Sequence, residues 1–216
     1  MQQRSEEWFA ARAGSLGASS LWEAVAKTRS GYSASRANLL ARLAVERLTG
    51  QPCESYTSGA MRHGIDTEPE ARDAYAFYRN AEVEEVGLVP HPSIKESHAS
   101  PDGLVGADGL VEIKCPNSAT HMDFLLTGEI PEKYMTQMFW QMACTGRKWC
   151  DFVSFDPRFP EEMRLRIQRV ERDETRIAEL EKEVTVFLEE LDCKLKALRE
   201  LAKPKPVKRK GRRTKK

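Results

Sequence analysis

The segment Ser100–Cys115 constrains this chain most, because it combines two short β-type runs with acidic and basic side chains. Successive side chains of a strand alternate between its two faces, so Glu112 and Lys114 lie on the same face of the second run. Asp102 comes just before the first run, ten residues ahead of Glu112. A tight hairpin with this separation brings the two carboxylates opposite each other. The sequence therefore predicts that three functional groups converge at one point.

This predicted cluster has a chemistry of its own. Two carboxylates a few ångströms apart repel each other unless a cation lies between them. Hard oxygen ligands select Mg²⁺, with Mn²⁺ as a substitute, and the Ile113 backbone carbonyl is a candidate further ligand. Such an ion activates water and neutralises a phosphodiester, while Lys114 can orient the attacking hydroxide or stabilise the pentavalent transition state. The pattern predicts metal-dependent phosphodiester hydrolysis.

The Glu-x-Lys triplet alone is a weak signal, because Glu and Lys alternate on many solvated strand faces. Here the rest of the strand, Leu110-Val111 and Ile113, is apolar. Charged side chains on one face of an apolar strand need an explanation other than solvation. A structural salt bridge between Glu112 and Lys114 is the alternative interpretation.

Helical and strand patterns alternate along the rest of the chain. A short helix, a loop and a second helix from Ser19 or Ser20 are expected first, followed by a helix that Ser35 caps and Gly50 ends. Residues 59–80 predict two helical pieces that meet near 66–69, and residues 83–89 predict one strand. Later segments predict helices at 120–126 and 131–144, strands at 149–155 and 163–170, and a long C-terminal helix capped by Asp173.

This order of elements predicts one α/β domain over residues 1–202, with a central mixed β-sheet flanked by helices. Residues 203–216 are expected to be a flexible basic tail. The whole chain carries +1 and this tail holds nine Lys or Arg without an acid, so the rest carries −8. A basic arm suits contact with polyanions, and an acidic body suits a cation-binding pocket. A tail that only aids solubility is the alternative.

The composition also excludes several classes of protein. Hydrophobic residues make up 40% and charged residues 31% of the 216 residues. No apolar run approaches the roughly 20 residues that span a bilayer, so no membrane association is expected. The first residues contain acids and no apolar core of a secretion signal, which favours a cytoplasmic location. Five cysteines without a C-x-x-C pair predict reduced, mostly buried thiols rather than disulfides or zinc.

Several motifs together resemble a known family. Pro101-Asp102 followed by Glu112-Ile113-Lys114-Cys115-Pro116 is similar to the core motif of the PD-(D/E)xK nucleases. Within them the chain resembles the phage lambda-type alkaline exonucleases, or YqaJ-like viral recombinases. The family's upstream acid-bearing helix resembles Gly64-Ile-Asp-Thr-Glu68. Its N-terminal arginine motif is similar to Trp8-Phe-Ala-Ala-Arg12-Ala-Gly14, and its glutamine helix is similar to Tyr134-Met-Thr-Gln137-Met-Phe-Trp-Gln141. The likeness extends from about residue 4 to about 190.

The resemblance implies roles for individual residues. Asp102 and Glu112 would bind the metal, Lys114 would assist the nucleophile, and Glu68 would complete the acidic site. The terminal 5′-phosphate would be held by a pocket of Arg12, Ser19 and Arg29. Other phosphates would contact Ser100 and Gln137. An apolar wedge between terminal bases would be supplied by Met61. Ordinary surface positions for the pocket residues, and a core position for the methionine, are the alternatives.

The resemblance also implies an activity and partners. It implies Mg²⁺-dependent 5′→3′ digestion of one strand of linear duplex DNA to mononucleotides, which leaves a 3′ overhang for a single-strand annealing protein. A ring-shaped homotrimer encoded by a phage or prophage and acting in the bacterial host cytoplasm is expected. The alternatives are a PD-(D/E)xK endonuclease or repair nuclease, and a noncatalytic DNA-binding assembly protein.

Overall fold

A computed structural model describes residues 2–53 and 58–203, so residues 204–216 of the predicted basic tail lie outside it. In the described part, the helices are α1 to α7, with bounds Glu6–Arg12, Leu21–Val25, Ala34–Thr49, Gly59–Arg79, Ser118–Thr127, Glu132–Thr145 and Glu174–Ala202. The strands are β1 to β10, with bounds Leu16–Gly17, Lys27–Thr28, Gly31–Tyr32, Val83–Glu84, Val89–Pro90, Ser97–Ala99, Gly103–Val105, Gly109–Lys114, Trp149–Phe155 and Leu165–Glu171. A short 3₁₀ turn, Ala18–Ser20, precedes α2.

The main sheet has five strands in the order β10-β9-β8-β7-β4. Strands β8 and β9 are parallel and the other neighbours are antiparallel. Helices α5 and α6 form the connection between the two parallel strands. A smaller sheet has the order β1-β6-β5. The expected mixed sheet flanked by helices is therefore confirmed.

The two faces of the main sheet carry different layers of the core. Leu110 of β8 packs in the larger apolar cluster, with α2, α3, α6 and α7. Val111 and Ile113 pack in a smaller cluster with α4. Because side chains alternate along a strand, Glu112 and Lys114 share the face of Leu110. Both charged side chains therefore point into the layer that α6 covers.

Helix α7 follows the prediction closely. The Asp173 side chain accepts hydrogen bonds from the backbone N–H groups of Thr175 and Arg176, as expected of an N-cap. The apolar stripe from Ile177 to Leu195 is buried against the body of the protein, whereas Leu198 is 44% exposed. The stripe stabilises the fold of its own chain.

Two predicted boundaries were wrong. Ser33, not Ser35, caps α3, because the Ser33 hydroxyl accepts the backbone N–H of Ser35 and the helix begins two residues earlier than expected. The segment 83–89 is not one strand: Val83 pairs with β7 of the main sheet, whereas Val89 pairs with β6 of the small sheet. The chain crosses from one sheet to the other between them.

Helix α4 is continuous, so the prediction of two pieces was also wrong. Pro69 lies inside it. A proline removes one backbone hydrogen bond, but Thr67 before it and Ala71 and Tyr75 after it are all buried. Packing on both sides of the proline holds the helix together.

All five cysteines are free, and Cys115, Cys144 and Cys150 are buried. None of the described helices combines the length and apolar character needed to cross a bilayer.

Candidate active site

The β7–β8 hairpin brings the predicted acids together. Gly103 pairs with Val111, which places Asp102 next to the pairing position of Glu112. The Asp102 Oδ2 atom accepts a hydrogen bond of 2.7 Å from the backbone N–H of Ile113. The carboxylate is thereby fixed across the strand from the Glu-x-Lys triplet, as the ten-residue separation predicted.

Glu112 is fully buried and both of its oxygens accept hydrogen bonds. The Lys114 Nζ atom pairs with Oε1, and the Gln137 amide also donates to Oε1 at 2.7 Å. The Gln141 amide donates to Oε2 at 2.6 Å. The salt bridge between Glu112 and Lys114, which was the alternative interpretation, is therefore present. It belongs to a larger cluster that also contains the Asp102 carboxylate.

Burial and like charge shape the electrostatics of this cluster. Burial, and then the negative charge of Glu112, raise the pKa of Asp102 well above its usual value. Burial alone would lower the pKa of Lys114, but Glu112 and Asp102 together raise it above the ordinary value. Lys114 therefore stays an ammonium group at neutral pH. The two carboxylates repel each other, and this repulsion destabilises their charged forms.

This donor set fits a hard divalent cation. Asp102 and Ile113 line one cavity, and a cation beside the carboxylates would offset the repulsion from Glu112 that, after burial, raises the pKa of Asp102. Within residues 2–53 and 58–203, no three His, Cys, Asp or Glu side chains are grouped closely enough to hold a metal by themselves. The predicted set of two carboxylates and one backbone carbonyl contains only two such side chains.

Glu68 reaches the same cavity from α4. Its charge is among the causes that raise the pKa of Asp102. Its oxygens accept hydrogen bonds from Arg4 and Arg72, both at 2.7 Å. The predicted third acid is therefore at the site, held by two guanidinium groups.

The cavity has a volume of about 220 Å³, and Arg4 and Arg12 line it together with the acids. Arg12 stacks on Trp8, with the guanidinium carbon 4.0 Å from the ring centroid. Its N–H groups reach the hydroxyl oxygens of Ser100 and Ser19, both at 3.4 Å. Burial, and then the charge of Arg42, lower the pKa of Arg12 to about 10, so the side chain is still a cation at neutral pH.

Most of the residues implied by the resemblance line this one cavity, namely Arg12, Ser19, Glu68, Ser100, Asp102, Ile113, Lys114 and Gln137. Glu112 lies directly behind it, bonded to Lys114 and Gln137. Arg29 and Met61 are not part of the cavity wall. Arg29 is exposed in the turn between β2 and β3, and Met61 is 53% exposed in the first turn of α4.

Sequence reasoning gave no role to two residues that the structure places here. Gln141 holds the second oxygen of Glu112, and its position one helical turn after Gln137 was the signal that could have found it. Arg4 lines the cavity and pairs with Glu68. Its contact joins residues 64 positions apart, and no local pattern in the sequence indicates such a pairing.

Comparisons with known proteins identify the family and the fold. The model of the YqaJ-like viral recombinase domain matches residues 7–148. An alkaline exonuclease (LHK-Exo) from Laribacter hongkongensis is 47% identical in sequence and superposes with a TM-score of 0.87, over 92% of this chain and 98% of that one. A second structure of LHK-Exo, in complex with dAMP, gives the same values.

A phage-related exonuclease from Haemophilus somnus shares the fold, with a TM-score of 0.66 at 14% identity, over 87% of this chain and 96% of that one. No curated protein matches the sequence at a significant level. The family match covers well over half of the chain, and the similarity to LHK-Exo spans nearly all of it. The chain therefore belongs to the YqaJ-like viral recombinase family of lambda-type alkaline exonucleases.

Proposed function

We propose that this protein is a Mg²⁺-dependent exonuclease that digests one strand of linear duplex DNA in the 5′→3′ direction. It releases mononucleotides and leaves a 3′ single-stranded overhang. The observation that carries the proposal is that Asp102, Lys114 and Arg12 all line one cavity. An acid that suits a cation and a guanidinium group that suits a phosphate thus share one space.

The acidic side would hold the metal. Asp102, Glu112 and the Ile113 carbonyl would be its ligands, and Mn²⁺ would substitute for Mg²⁺ because both prefer oxygen donors. When bound, the ion lowers the pKa of a water molecule and offsets negative charge on the phosphodiester. The amides of Gln137 and Gln141 donate to the two oxygens of Glu112 and so hold its carboxylate in one orientation.

Lys114 acts as a charge rather than as a base, because its pKa is raised and it has no lone pair to accept a proton. One of its three N–H groups is used by Glu112. The others can donate to the attacking oxygen or to the phosphate oxygens as negative charge accumulates in the transition state. Glu68 adds a third negative group at the edge of the same cavity.

The basic side supports end recognition and polarity. A terminal 5′-phosphate carries nearly two negative charges, and guanidinium and hydroxyl donors bind it in a fixed orientation. Arg12 and Ser19 supply such donors, and Ser100 and Gln137, which line the same cavity, would contact further phosphates. An end held there places the first phosphodiester bond at the acids, which favours release of one nucleotide at a time from the 5′ end.

End-labelled duplex digestion tests the proposal. A 5′-phosphorylated linear duplex, labelled on either end of one strand, is incubated with Mg²⁺ or with a chelator. We expect mononucleotides from the 5′ end with Mg²⁺ and no product with the chelator. Mononucleotides from the 3′ end, or equal digestion with the chelator, would exclude the proposed reaction.

Two alternatives predict different products. A PD-(D/E)xK endonuclease would also cut closed circular DNA, whereas an enzyme that requires an end leaves the circle intact. A noncatalytic assembly protein would bind the linear duplex and release no nucleotide at any enzyme concentration. The cavity that both the acids and Arg12 line favours the exonuclease over both alternatives.

The partners extend the proposal. A single-strand annealing protein would use the 3′ overhang, and a homotrimeric ring around the DNA would explain processive digestion. The tail, residues 203–216, would act as a nonspecific arm on DNA phosphates. Because each lysine on a phosphate releases counterions, deleting residues 204–216 should flatten the salt dependence of DNA binding and leave the cleavage rate unchanged. An unchanged salt slope would contradict this role.

A further inference from the structure

A second cavity adjoins the candidate active site at Lys114. It has a volume of about 380 Å³, against about 220 Å³ for the catalytic cavity, and Lys114 lines both. The rest of its wall comes from the end of β9, from α5 and α6, and from the loop between these two helices. Pockets for small molecules measure roughly 300–1,000 Å³, so this space has room for one nucleoside. Of the two cavities, Arg12, Glu68 and Asp102 line only the catalytic one.

Three aromatic rings form the apolar part of this second cavity. Phe124 and Phe152 are buried and pack edge to face, with their ring centroids 5.2 Å apart. The half-buried ring of Tyr134 lies beside Phe152, with a centroid distance of 5.6 Å. The Lys114 Nζ atom is 5.1 Å from the centroid of the Tyr134 ring. Aromatic surface next to a cation suits a flat nucleobase whose phosphate lies near Lys114.

One buried hydroxyl in the wall of this cavity is fixed as a hydrogen-bond acceptor. Ser154 is 2% exposed and pairs in register with Lys114 across β8 and β9. The His121 Nε2 atom is 2.9 Å from the Met163 carbonyl oxygen, which can only accept, so Nε2 carries the hydrogen. In the neutral ring Nδ1 then accepts, and the Ser154 hydroxyl donates to it at 2.7 Å. The lone pairs of the Ser154 oxygen are therefore left for an N–H donor in the cavity.

The exposed part of the cavity wall is acidic. Asp123 and Glu129 line the cavity, both are exposed, and neither carboxylate forms a salt bridge within the described part of the chain. Lys114 is the one lysine or arginine among the described residues of this wall. Because like charges repel, a single phosphate fits beside Lys114 and a run of backbone phosphates does not. The cavity therefore suits the nucleobase of a nucleotide better than the DNA backbone.

We infer that this cavity binds the nucleobase of the second nucleotide from the 5′ end of the digested strand. The inference rests on the proposed function, in which the first nucleotide lies between Arg12 and the acids and fills the catalytic cavity. Water attacks the phosphorus, the bond to the 3′ oxygen of the first nucleotide breaks, and the phosphate stays on the second nucleotide as the next 5′ end. This nucleotide begins beside Lys114, and the further space that Lys114 lines is the second cavity. Every nucleobase has a flat face and an N–H donor, so the cavity can accept all four.

The test uses a 5′-phosphorylated duplex with two unpaired nucleotides at the 5′ end, so that base pairing does not affect the comparison. The second nucleotide either carries its nucleobase or is an abasic analogue, and the single-turnover rate of the first cleavage is measured with Mg²⁺. We expect the abasic substrate to be cleaved roughly tenfold more slowly by the wild type, as for the loss of one base–aromatic contact. The same change in the first nucleotide should have a smaller effect.

Variants of Tyr134 test whether its ring contacts the nucleobase. In Tyr134→Ala we expect both substrates to be cleaved at similar rates, whereas Tyr134→Phe keeps the ring and the difference. Tyr78→Ala, the same change at an exposed position of α4 outside both cavities, should also keep the difference. A tyrosine that acted only through Lys114 would slow both substrates by the same factor.

Equal rates on the two substrates in the wild type, or a wild-type ratio of rates in Tyr134→Ala, would overturn the inference. A larger effect of the abasic change in the first nucleotide would overturn it as well. Binding of the two substrates without divalent ions separates the inference from the proposed function, because it requires no cleavage. If the wild type binds the substrate with the nucleobase more tightly, and Tyr134→Ala does not, but no cleavage occurs, the exonuclease proposal fails and the nucleobase site remains. Equal binding together with equal rates would remove the site.

Discussion

At the scale of single residues, the account depends on how Glu112 is held. This carboxylate is fully buried, and a lysine and two glutamines donate to it. A buried charge is tolerated only when its hydrogen-bonding capacity is satisfied. The same contacts that stabilise the charge also fix the orientation of the carboxylate. We therefore expect the same hydrogen bonds to serve both stability and catalysis.

The variant Gln141→Leu tests whether the hydrogen bonds to Glu112 serve both stability and activity. The change leaves Glu112 Oε2 without its donor, and an unsatisfied buried acceptor costs about 1–3 kcal/mol. We expect a lower free energy of unfolding in urea and a fall of kcat by roughly tenfold or more, with little change in duplex binding. Met142→Leu, a buried change of similar volume on the same helix, should keep activity near the wild-type value. Wild-type kcat in Gln141→Leu would show that the amide has no positioning role.

The sequence was sufficient to predict the two acids and the lysine of the site, but not all of the residues that contact them. Period-2 alternation and a ten-residue separation were sufficient to bring Asp102, Glu112 and Lys114 together. The contact of Arg4 with Glu68 was not predictable, because it depends on how the N-terminal segment packs against helix α4, 64 positions later in the sequence. Local patterns carry no information about such packing.

At the scale of elements, α4 and the β7–β8 hairpin position the acids. The hairpin was predictable because its apolar and charged residues alternate with the strand period. Helix α4 was not, because Pro69 is a strong local signal for a break and only tertiary packing of Thr67, Ala71 and Tyr75 overrides it. The caps differ in the same way: Asp173 stands alone before its helix, whereas Ser33 and Ser35 are both suitable and geometry selects the first.

The variant Pro69→Ala tests how much the proline inside α4 lowers the free energy of unfolding. Residue 69 is exposed on the helix surface, and alanine restores a backbone N–H donor in the helix interior. Proline in a helix interior costs about 3 kcal/mol relative to alanine, so we expect a rise of about 1–3 kcal/mol in the free energy of unfolding. Glu70→Ala at the neighbouring exposed position should change it by less than about 0.5 kcal/mol. A loss of stability in Pro69→Ala would mean that the proline ring makes contacts the helix needs.

At the scale of the whole molecule, the main sheet separates two apolar layers. The candidate active site lies at the end of β8, where Glu112 and Lys114 follow the apolar residues. The small sheet brings β6 beside the N-terminal segment, so that His98 lies behind the Arg12 pocket. The His98 Nδ1 atom is 2.8 Å from the Ser15 hydroxyl, and the Nε2 atom is buried without a hydrogen-bond partner in the described part of the chain. The fold thus holds a neutral imidazole beside a cation.

This arrangement predicts how stability depends on pH. Burial, and then the charge of Arg12, lower the pKa of His98 from 6.5 to about 3. Between these values the unfolded chain binds a proton that the folded chain excludes, so stability is lost as the pH falls below 6.5. The loss from this group approaches about 1.4 kcal/mol per pH unit. Urea unfolding between pH 7 and pH 4.5 should show a shallower decline in His98→Gln than in the wild type; parallel curves would contradict the lowered pKa.

The central claim is that Lys114 supplies positive charge to a metal-dependent hydrolysis at Asp102 and Glu112. The most direct test is the single-turnover cleavage rate of a 5′-phosphorylated linear duplex with Mg²⁺ in Lys114→Ala, with thermal unfolding and duplex binding measured on the same sample. The account predicts a fall in rate of roughly 100- to 1000-fold, with a folded protein that still binds the duplex. A folded Lys114→Ala variant that cleaves at the wild-type rate would contradict it.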